Sequence, residues 1–510
     1  MKKSTSTAVT LAAVVAVGFL SFRSNPPATG KQLADVYCGS CHLTPDPKSL
    51  TKYIWQLHVL PVMGRYMGVE YMNYDPYRNL SSAETDVLHH DHIYPDKPVV
   101  DDATWQKIVN YYVDTAPTRL PIDSSRVRRD RALDQFTVSL IPLSEKTGSR
   151  VTALAFDTLT RQLWVAEPDK LYCWTWPGKL VGNYDLPTTI VDIKPGRDNL
   201  LLTDIGTLLP SNVPKGGVFS LSNGKLVARQ ASLHRPVYAL TDDLDEDGLP
   251  ELITADFGYH TGSLAFYRQR SPSDSTQTRQ VLLDAPGAVK FYVRDMNGDH
   301  KKDIVALFAQ QLESVYIFYQ GNDLTFTPKK VLQFEPQYGT SDFIILDYNH
   351  DGIDDLALVH GDNADYSYSS KAFHGLHLFL GNPNQTFRSA FFYPIYGATR
   401  LQADDFDKDG DIDFAVSSFF PEMSTLAAES FVYLENKKAD RYRFVAHVAR
   451  TATPIKSLTL EKIDIDSDGD MDLVLGQMSY SPSPMPAPVQ QALENAPYKL
   501  ILLRNRLINY

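Results

Sequence analysis

Apolar residues along the chain fall into three successive patterns. The first is an unbroken apolar run at residues 8–20, behind Lys2 and Lys3. Thirteen residues are short for a bilayer span and suit the h-region of a secretion signal. Phe22 and Arg23 follow, with no A-x-A cleavage site, so residues 1–24 read either as a signal peptide or as an N-terminal membrane anchor. The second pattern is helical. Trp105, Ile108, Val109, Tyr112 and Val113 recur at 3–4 spacing within 101–116, with Asp101 and Asp102 placed to cap the start. Residues 31–37 and 53–60 read as shorter helices, and 60–64 (LPVMG) as a Pro/Gly loop. The third pattern, from about residue 132 onward, is a series of short strand-like apolar runs, such as 343–346 and 356–359.

Between those runs one polar motif recurs five times: DLDEDGLPE (243–251), DMNGDHKKD (295–303), DYNHDGIDD (347–355), DFDKDGDID (405–413) and DIDSDGDMD (464–472). The starts lie 52, 52, 58 and 59 residues apart, a period that signals a repeat architecture. Each copy sits in a tight loop between two strands. Oxygens at positions 1, 3 and 5, a glycine at 6 and a carboxylate at 9 resemble the first half of an EF-hand loop. The candidate ligands are Asp243, Asp245, Asp247 and Glu251; Asp295, Asn297, Asp299 and Asp303; Asp347, Asn349, Asp351 and Asp355; Asp405, Asp407, Asp409 and Asp413; Asp464, Asp466, Asp468 and Asp472. This hard, all-oxygen set suits Ca²⁺, up to five ions; Mg²⁺ would need stricter octahedral geometry. The second copy departs from the pattern, with His300 in place of glycine.

Composition sharpens this picture. The chain has 510 residues, 22% charged, and a formal charge of −12. Its acidity argues against nucleic acid as a partner. Five divalent ions would bring −12 to −2, so the acidity reads as a metal requirement. Three cysteines exclude a disulfide scaffold.

Two of those cysteines fall in Y-C-G-S-C-H, residues 37–42. This C-x-x-C-H spacing is that of c-type haem attachment. Two thiols add to the haem vinyl groups, and the adjacent histidine reaches the iron. Cys38 and Cys41 would be the thioether links and His42 the proximal ligand of one covalent haem c. A redox disulfide does not need His42, and a zinc site needs a second ligand pair that is missing nearby. Met63 is the favoured second axial ligand, then Met67 and Met72; His58, His89, His90 and His92 are the rivals for bis-histidine ligation. Cys173 reads as a buried structural residue.

Residues 31–118 resemble the cytochrome c family, with the motif on a first helix and 101–116 as the closing helix. The five acidic loops resemble those of the FG-GAP/VCBS repeat family, whose members form calcium-binding β-propellers as in integrin α chains. The resemblance implies a mainly β fold, a seven-bladed β-propeller over 132–510, preceded by a small α-helical cytochrome c domain. Two degenerate blades, entered at 151–156 and 189–193, complete the seven. Residues 136–142 (FTVSLIP) are expected to complete the last blade and lock the ring. The acidic loops would share one face. The inserts 256–262, 361–375, 419–429 and 478–497, with Tyr366, Tyr368 and Tyr480, would share the other and carry the partner or the haem domain. Residues 119–131 form a linker whose Arg126, Arg128, Arg129 and Arg131 read as a solvated connection or an electrostatic clamp.

These features favour an exported electron-transfer protein of the periplasm or cell envelope, whose propeller binds a redox partner or surface ligand. The alternatives are a propeller dehydrogenase (or calcium-dependent lyase or hydrolase) with the cytochrome as acceptor, and a cell-surface adhesion module. No Ser/His/Asp order, nucleotide loop or metalloprotease motif appears, and no catalytic residue is assigned. The propeller histidines His234, His260, His360, His374 and His377 read as scattered and structural.

Overall fold

The computed structural model describes residues 28–122, 131–143 and 147–507, apart from 177, 187, 198, 270, 272–276, 364–368, 439, 440, 452 and 483. The apolar run at 8–20, Arg126, Arg128 and Arg129, and Tyr366 and Tyr368 lie outside the described residues. Among the described residues, no helix is long and apolar enough to cross a membrane.

The N-terminal segment is helical. α1 (Gly30–Tyr37) starts at a capping box, in which Thr29 and Gln32 each bond the other's backbone N–H. α2 (Lys52–Ile54) continues through a π turn, Trp55–Val59, into α3 (Leu60–Tyr66). α4 (Ser82–His90) and α5 (Asp102–Thr115) follow, the latter capped by Asp101, whose side chain accepts from Thr104 N at 2.8 Å. α1 crosses α5 at Gly30, where a Cβ would lie 2.3 Å from the Lys107 carbonyl oxygen, so only glycine permits this approach. Ala34, Trp55, Leu60, Trp105, Ile108 and Tyr112 form the segment's core.

Residues 60–64 are therefore helix rather than the expected loop. The π turn explains why Pro61 does not break it. The wider turn bonds Leu60 N to Trp55 O. Pro61 follows in the first turn of α3, where a missing N–H costs little.

Seven antiparallel sheets make up the rest. The seven blades span 153–185, 190–233, 236–283, 288–333, 340–394, 398–448 and 457–505. Six of them hold four consecutive strands. The seventh has three, and the strand Phe136–Ile141 supplies its outer edge, pairing antiparallel from Phe136 with Asn505 to Ile141 with Leu500. This closure is the one the sequence predicts, and it removes a free sheet edge. The strand Arg131–Ala132 adds in parallel beside His447 and Val448 on the sixth blade, a contact with no forerunner in the sequence pattern. The insert at 478–497, expected to be irregular, contains a helix, α6 (Ala487–Glu494), that buries Leu493.

Burial follows blade position. Second strands such as Glu251–Asp256 and Asp303–Phe308 are buried throughout, because neighbouring blades cover both faces. Outer strands such as Lys225–Leu233 are largely exposed. Phe136 joins this core edge-on to Phe406 and Tyr433, at 5.7 and 5.3 Å between ring centroids. Phe136→Ala is expected to cost about 3–5 kcal/mol in chemical denaturation, and the exposed Leu140→Ala within about 0.5 kcal/mol. Equal effects would mean that the N-terminal strand does not hold the ring shut.

Candidate functional site

A cavity of about 410 Å³ lies between the helical segment and the propeller. Cys38, Cys41 and His42 line it, together with Met63, Met67, Trp55, Leu60, Trp105 and Tyr112. The capped start of α1 positions the motif, since Cys38 follows directly on its last turn. His42 Nδ1 contacts the Leu43 carbonyl oxygen at 2.8 Å, which orients the ring and leaves Nε2 for another partner. Burial lowers the His42 pKa and so favours the neutral, ligating imidazole. Burial pushes the Cys38 thiol up to about 11, against the opposing Tyr112 hydroxyl beside it. Trp105 Nε1 is buried in the same wall and has no hydrogen-bond partner among the described residues.

Two thiols, an imidazole, two thioethers and an orphaned indole N–H around an apolar void form a donor set suited to a haem. Met63 and Met67 both sit on the wall, on α3 and at its end. Met72 is half exposed and lies outside this cavity. His58, His89, His90 and His92 are exposed and line no part of it, so the histidine rivals for the second ligand are not brought to the site.

The propeller supplies the opposite wall, including Tyr259, His260, Gln311, Glu313 and Lys371. These side chains come from loops on the face away from the acidic motifs. Further contacts tie the helical segment to that face. Glu84 accepts from Asn212 N at 2.8 Å and also bonds Ser211; Asp46 N donates to Glu335 at 2.9 Å. The expected division of the two faces is what the contacts show. Arg131 forms part of the short strand on the sixth blade.

The histidines of the propeller are not scattered. His260 meets Tyr94 and Tyr66 of the helical segment, and His234 lies 2.8 Å from Thr261 Oγ1 in the same loop. His360 and His377 stack edge-on at 4.6 Å in the fifth blade, with His374 fully buried in the preceding loop. They form two groups, His234 with His260 and His360 with His374 and His377, whose members lie 3 to 26 residues apart in the chain, and no local spacing signals those contacts. Cys173 is buried in the first blade, as read.

The five acidic loops share one geometry. In each, the backbone N–H at position 6 donates to the position 1 carboxylate, at 2.9, 2.8, 2.9, 3.0 and 3.2 Å for Gly248, His300, Gly352, Gly410 and Gly469. His300 adopts a φ of +65°, the left-handed conformation its glycine counterparts hold at +81° to +95°. The second loop thus keeps the shape at the cost of backbone strain.

The position 9 carboxylate also has a structural task. It is buried in every loop and accepts from the position 2 N–H; in loops two to five its other oxygen accepts from the third strand, as at Asn436 N and Asn505 N. In the first loop the longer Glu251 leaves Oε1 without such a bond. Three loops gather carboxylate oxygens within 4.8 Å of one another: Asp243, Asp245 and Glu251; Asp405, Asp407 and Asp409; Asp464, Asp466 and Asp472. Buried oxygens of Asp243, Asp245, Glu251 and Asp466 have no hydrogen-bond partner among the described residues. Loops two and three carry Asn297 and Asn349, whose amides donate to Asp299 and Asp351 instead. A cation already leans on some loops. Arg268 bonds Asp245 and lies 3.6 Å from Asp247, and Arg504 lies 3.3 Å from Asp466.

A family model described as FG-GAP-like repeat matches residues 243–306 and 295–358. The chain carries FG-GAP-like repeats. The matched stretches hold the first three acidic loops, and loops four and five repeat their hydrogen bonds. A propeller of such repeats is a binding- or adhesion-type module. Among curated proteins, none matches the chain. Similar solved structures include Sqt1 of Saccharomyces cerevisiae, at 11% identity over 71% of this chain and 97% of that one, TM-score 0.41. BBS1N in complex with ARL6DN is 11% identical over 74% and 98%, TM-score 0.43. A putative 6-phosphogluconolactonase from Bacteroides uniformis is 11% identical over 58% and 85%, TM-score 0.38. These likenesses are too distant to bear on ligand or activity.

Proposed function

We propose that the chain is an exported c-type haem protein that carries electrons, with its propeller as a calcium-binding module for a redox partner or surface ligand. The observation that supports this most directly is a single apolar cavity lined by Cys38, Cys41, His42, Met63 and Met67. Cys38 and Cys41 would form the thioethers, His42 Nε2 would face the iron, and Met63 would be the second axial ligand. A haem held there supplies one-electron Fe(III)/Fe(II) chemistry, with methionine ligation favouring a higher potential. The chain's own contribution is to orient His42 through Leu43 and to keep water from the apolar wall. Among the loops, those at 243–251, 405–413 and 464–472 have the most complete carboxylate sets for Ca²⁺. The apolar run at 8–20 would direct the chain to the periplasm or envelope, or tether it there.

Protein purified from its native envelope should show a haem absorption spectrum and an intact mass one haem above the polypeptide. A chain with neither would refute the reading, and a second chromophore would turn it toward a propeller dehydrogenase. Met63→Ala is expected to lower the midpoint potential in spectroelectrochemical titration, and Met67→Ala to leave it near the wild-type value. The reverse result would assign Met67 as the ligand.

A further inference from the structure

In each blade that carries an acidic loop, position 9 opens the second strand, and the third strand pairs with it. The pairs Leu252–Tyr267, Ile304–Phe318, Leu356–Phe379, Phe414–Leu434 and Leu473–Leu503 fix the register. One step further, Arg268 stands across from Glu251, Tyr319 from Asp303, Leu380 from Asp355, Glu435 from Asp413 and Arg504 from Asp472. Residues opposite each other in an antiparallel pair lie on the same face, so each blade directs one chosen side chain toward its loop.

Position 3 of the loop follows that choice. Where an arginine stands opposite, position 3 is a carboxylate that meets it: Arg268 bonds Asp245, and Arg504 Nε lies 3.3 Å from Asp466. In the fourth loop Lys437, which bonds Glu435, lies 3.8 Å from Asp407 at position 3. Where the opposite residue is the uncharged Tyr319 or Leu380, position 3 is Asn297 or Asn349. A negative charge at position 3 thus occurs only where a cation of the same blade meets it.

The first loop shows what this cation does. Arg268 lies 3.6 Å from Asp247 and, through Nε, 3.9 Å from Glu251 Oε1. Glu251 is fully buried, yet its Oε1 makes no hydrogen bond among the described residues, and neither do the buried Oδ1 atoms of Asp243 and Asp245. One guanidinium leaves these oxygens unsatisfied, whereas Ca²⁺ takes six to eight oxygen ligands.

We propose that Arg268 is an internal counter-ion of the first loop, which draws its carboxylates together without metal and competes with Ca²⁺ for them; this rests on the calcium binding of the proposed function. Arg504 plays the same part in the fifth loop. Ca²⁺ must displace the guanidinium from Asp245 or Asp466, so each of these two loops binds the ion more weakly than its four carboxylates alone would.

The full-length protein is titrated with Ca²⁺ by calorimetry and melted at pH 8 in Ca²⁺ or in chelator. Arg268→Gln is expected to tighten one site about five-fold, the worth of a partly exposed ion pair. Arg504→Gln repeats the test on the fifth loop. Each variant should melt below wild type in chelator, where the carboxylates repel one another, and level with it or above in Ca²⁺. Tyr319→Phe, an uncharged exchange at the same register position, should change neither affinity nor the chelator-induced shift. Equal losses of melting temperature in both conditions, with affinity unchanged, would mean that the arginines only brace their blades and would overturn the proposal. Wild-type binding that neither variant tightens would overturn it too and leave the calcium reading standing. Binding gained only in the variants would support it. Absence of Ca²⁺ binding in wild type and variants alike would remove the calcium reading and the proposal together.

Discussion

Replacing His42 with alanine is expected to abolish the native haem spectrum, and replacing Cys38 and Cys41 together with serine to remove the haem mass altogether. The effect should be near total, because the cavity offers the helical segment no substitute. His58, His89, His90 and His92 are exposed and lie away from the cavity wall. The propeller's His260 lines the cavity, but both its ring nitrogens have neighbours within 3.4 Å, Asn212 and Tyr94. Loss of the group should also be felt as stability. The cavity of about 410 Å³ sits against Trp55, Leu60, Trp105 and Tyr112, the heart of the helical core. An unfilled apolar void forfeits the contacts of its lining, and a group bound only by the native state adds its binding free energy to folding. The helical segment of the double serine chain is therefore expected to melt well below that of the holoprotein, while the propeller transition stays in place. Circular dichroism at helical wavelengths and intact mass check both parts. A His42→Ala protein with an unchanged spectrum would sink the assignment.

Chelation should produce the other large effect, on the propeller. At free Ca²⁺ one hundred times its dissociation constant, one site stabilises the native state by about 2.7 kcal/mol, so three sites contribute about 8 kcal/mol. For a unit of this size that corresponds to a fall of roughly 10 °C in the melting temperature on adding chelator. Acidity should act in opposite directions with and without the ion. Burial, reinforced by neighbouring carboxylates, raises Asp413 and Asp472 to about 7 and Asp407 to about 6. Without calcium these folded-state values exceed those of the unfolded chain. The folded state then binds more protons between about pH 4 and 7, and stability falls as pH rises through that window. With calcium the carboxylates must be ionised, so binding weakens as pH drops below about 7. Chelated protein is thus expected to melt higher at pH 5 than at pH 8, and calcium-loaded protein the reverse. A melting temperature indifferent to chelator at pH 8 would count against all five loops.

Much of this architecture is legible in the sequence because it is written in local, repeated signals. The five acidic loops stand out since each needs the same short run of oxygens and a left-handed residue at position 6. Even the exception was visible: His300 breaks the pattern, and the backbone follows the pattern regardless, because Asp295 accepts its N–H as in the other loops. The closing strand at 136–141 was legible because the last repeat lacks a fourth strand. The C-x-x-C-H motif was legible because its two thiols and imidazole are near neighbours along the chain. The helix at 60–66 was not, since the rule that proline and glycine mark loops misses a π turn that makes room for Pro61. The structural use of the position 9 carboxylates was not legible either, because their second partner is a strand some 17 to 33 residues away.

The sequence by itself determined the repeat count, the ring and its closure, the placement of the acidic loops on one face, and the local grouping of Cys38, Cys41 and His42. Those features depend on periodicity and on ligands a few residues apart. Only the tertiary structure decided which sulfurs face the cavity, and that the propeller forms its far wall through Tyr259, His260, Glu313 and Lys371. Such features come from docking two units whose contacting residues are more than a hundred positions apart, as Glu84 is from Asn212. The complementarity that seats them belongs to surfaces in space, and no period or motif along the chain records it.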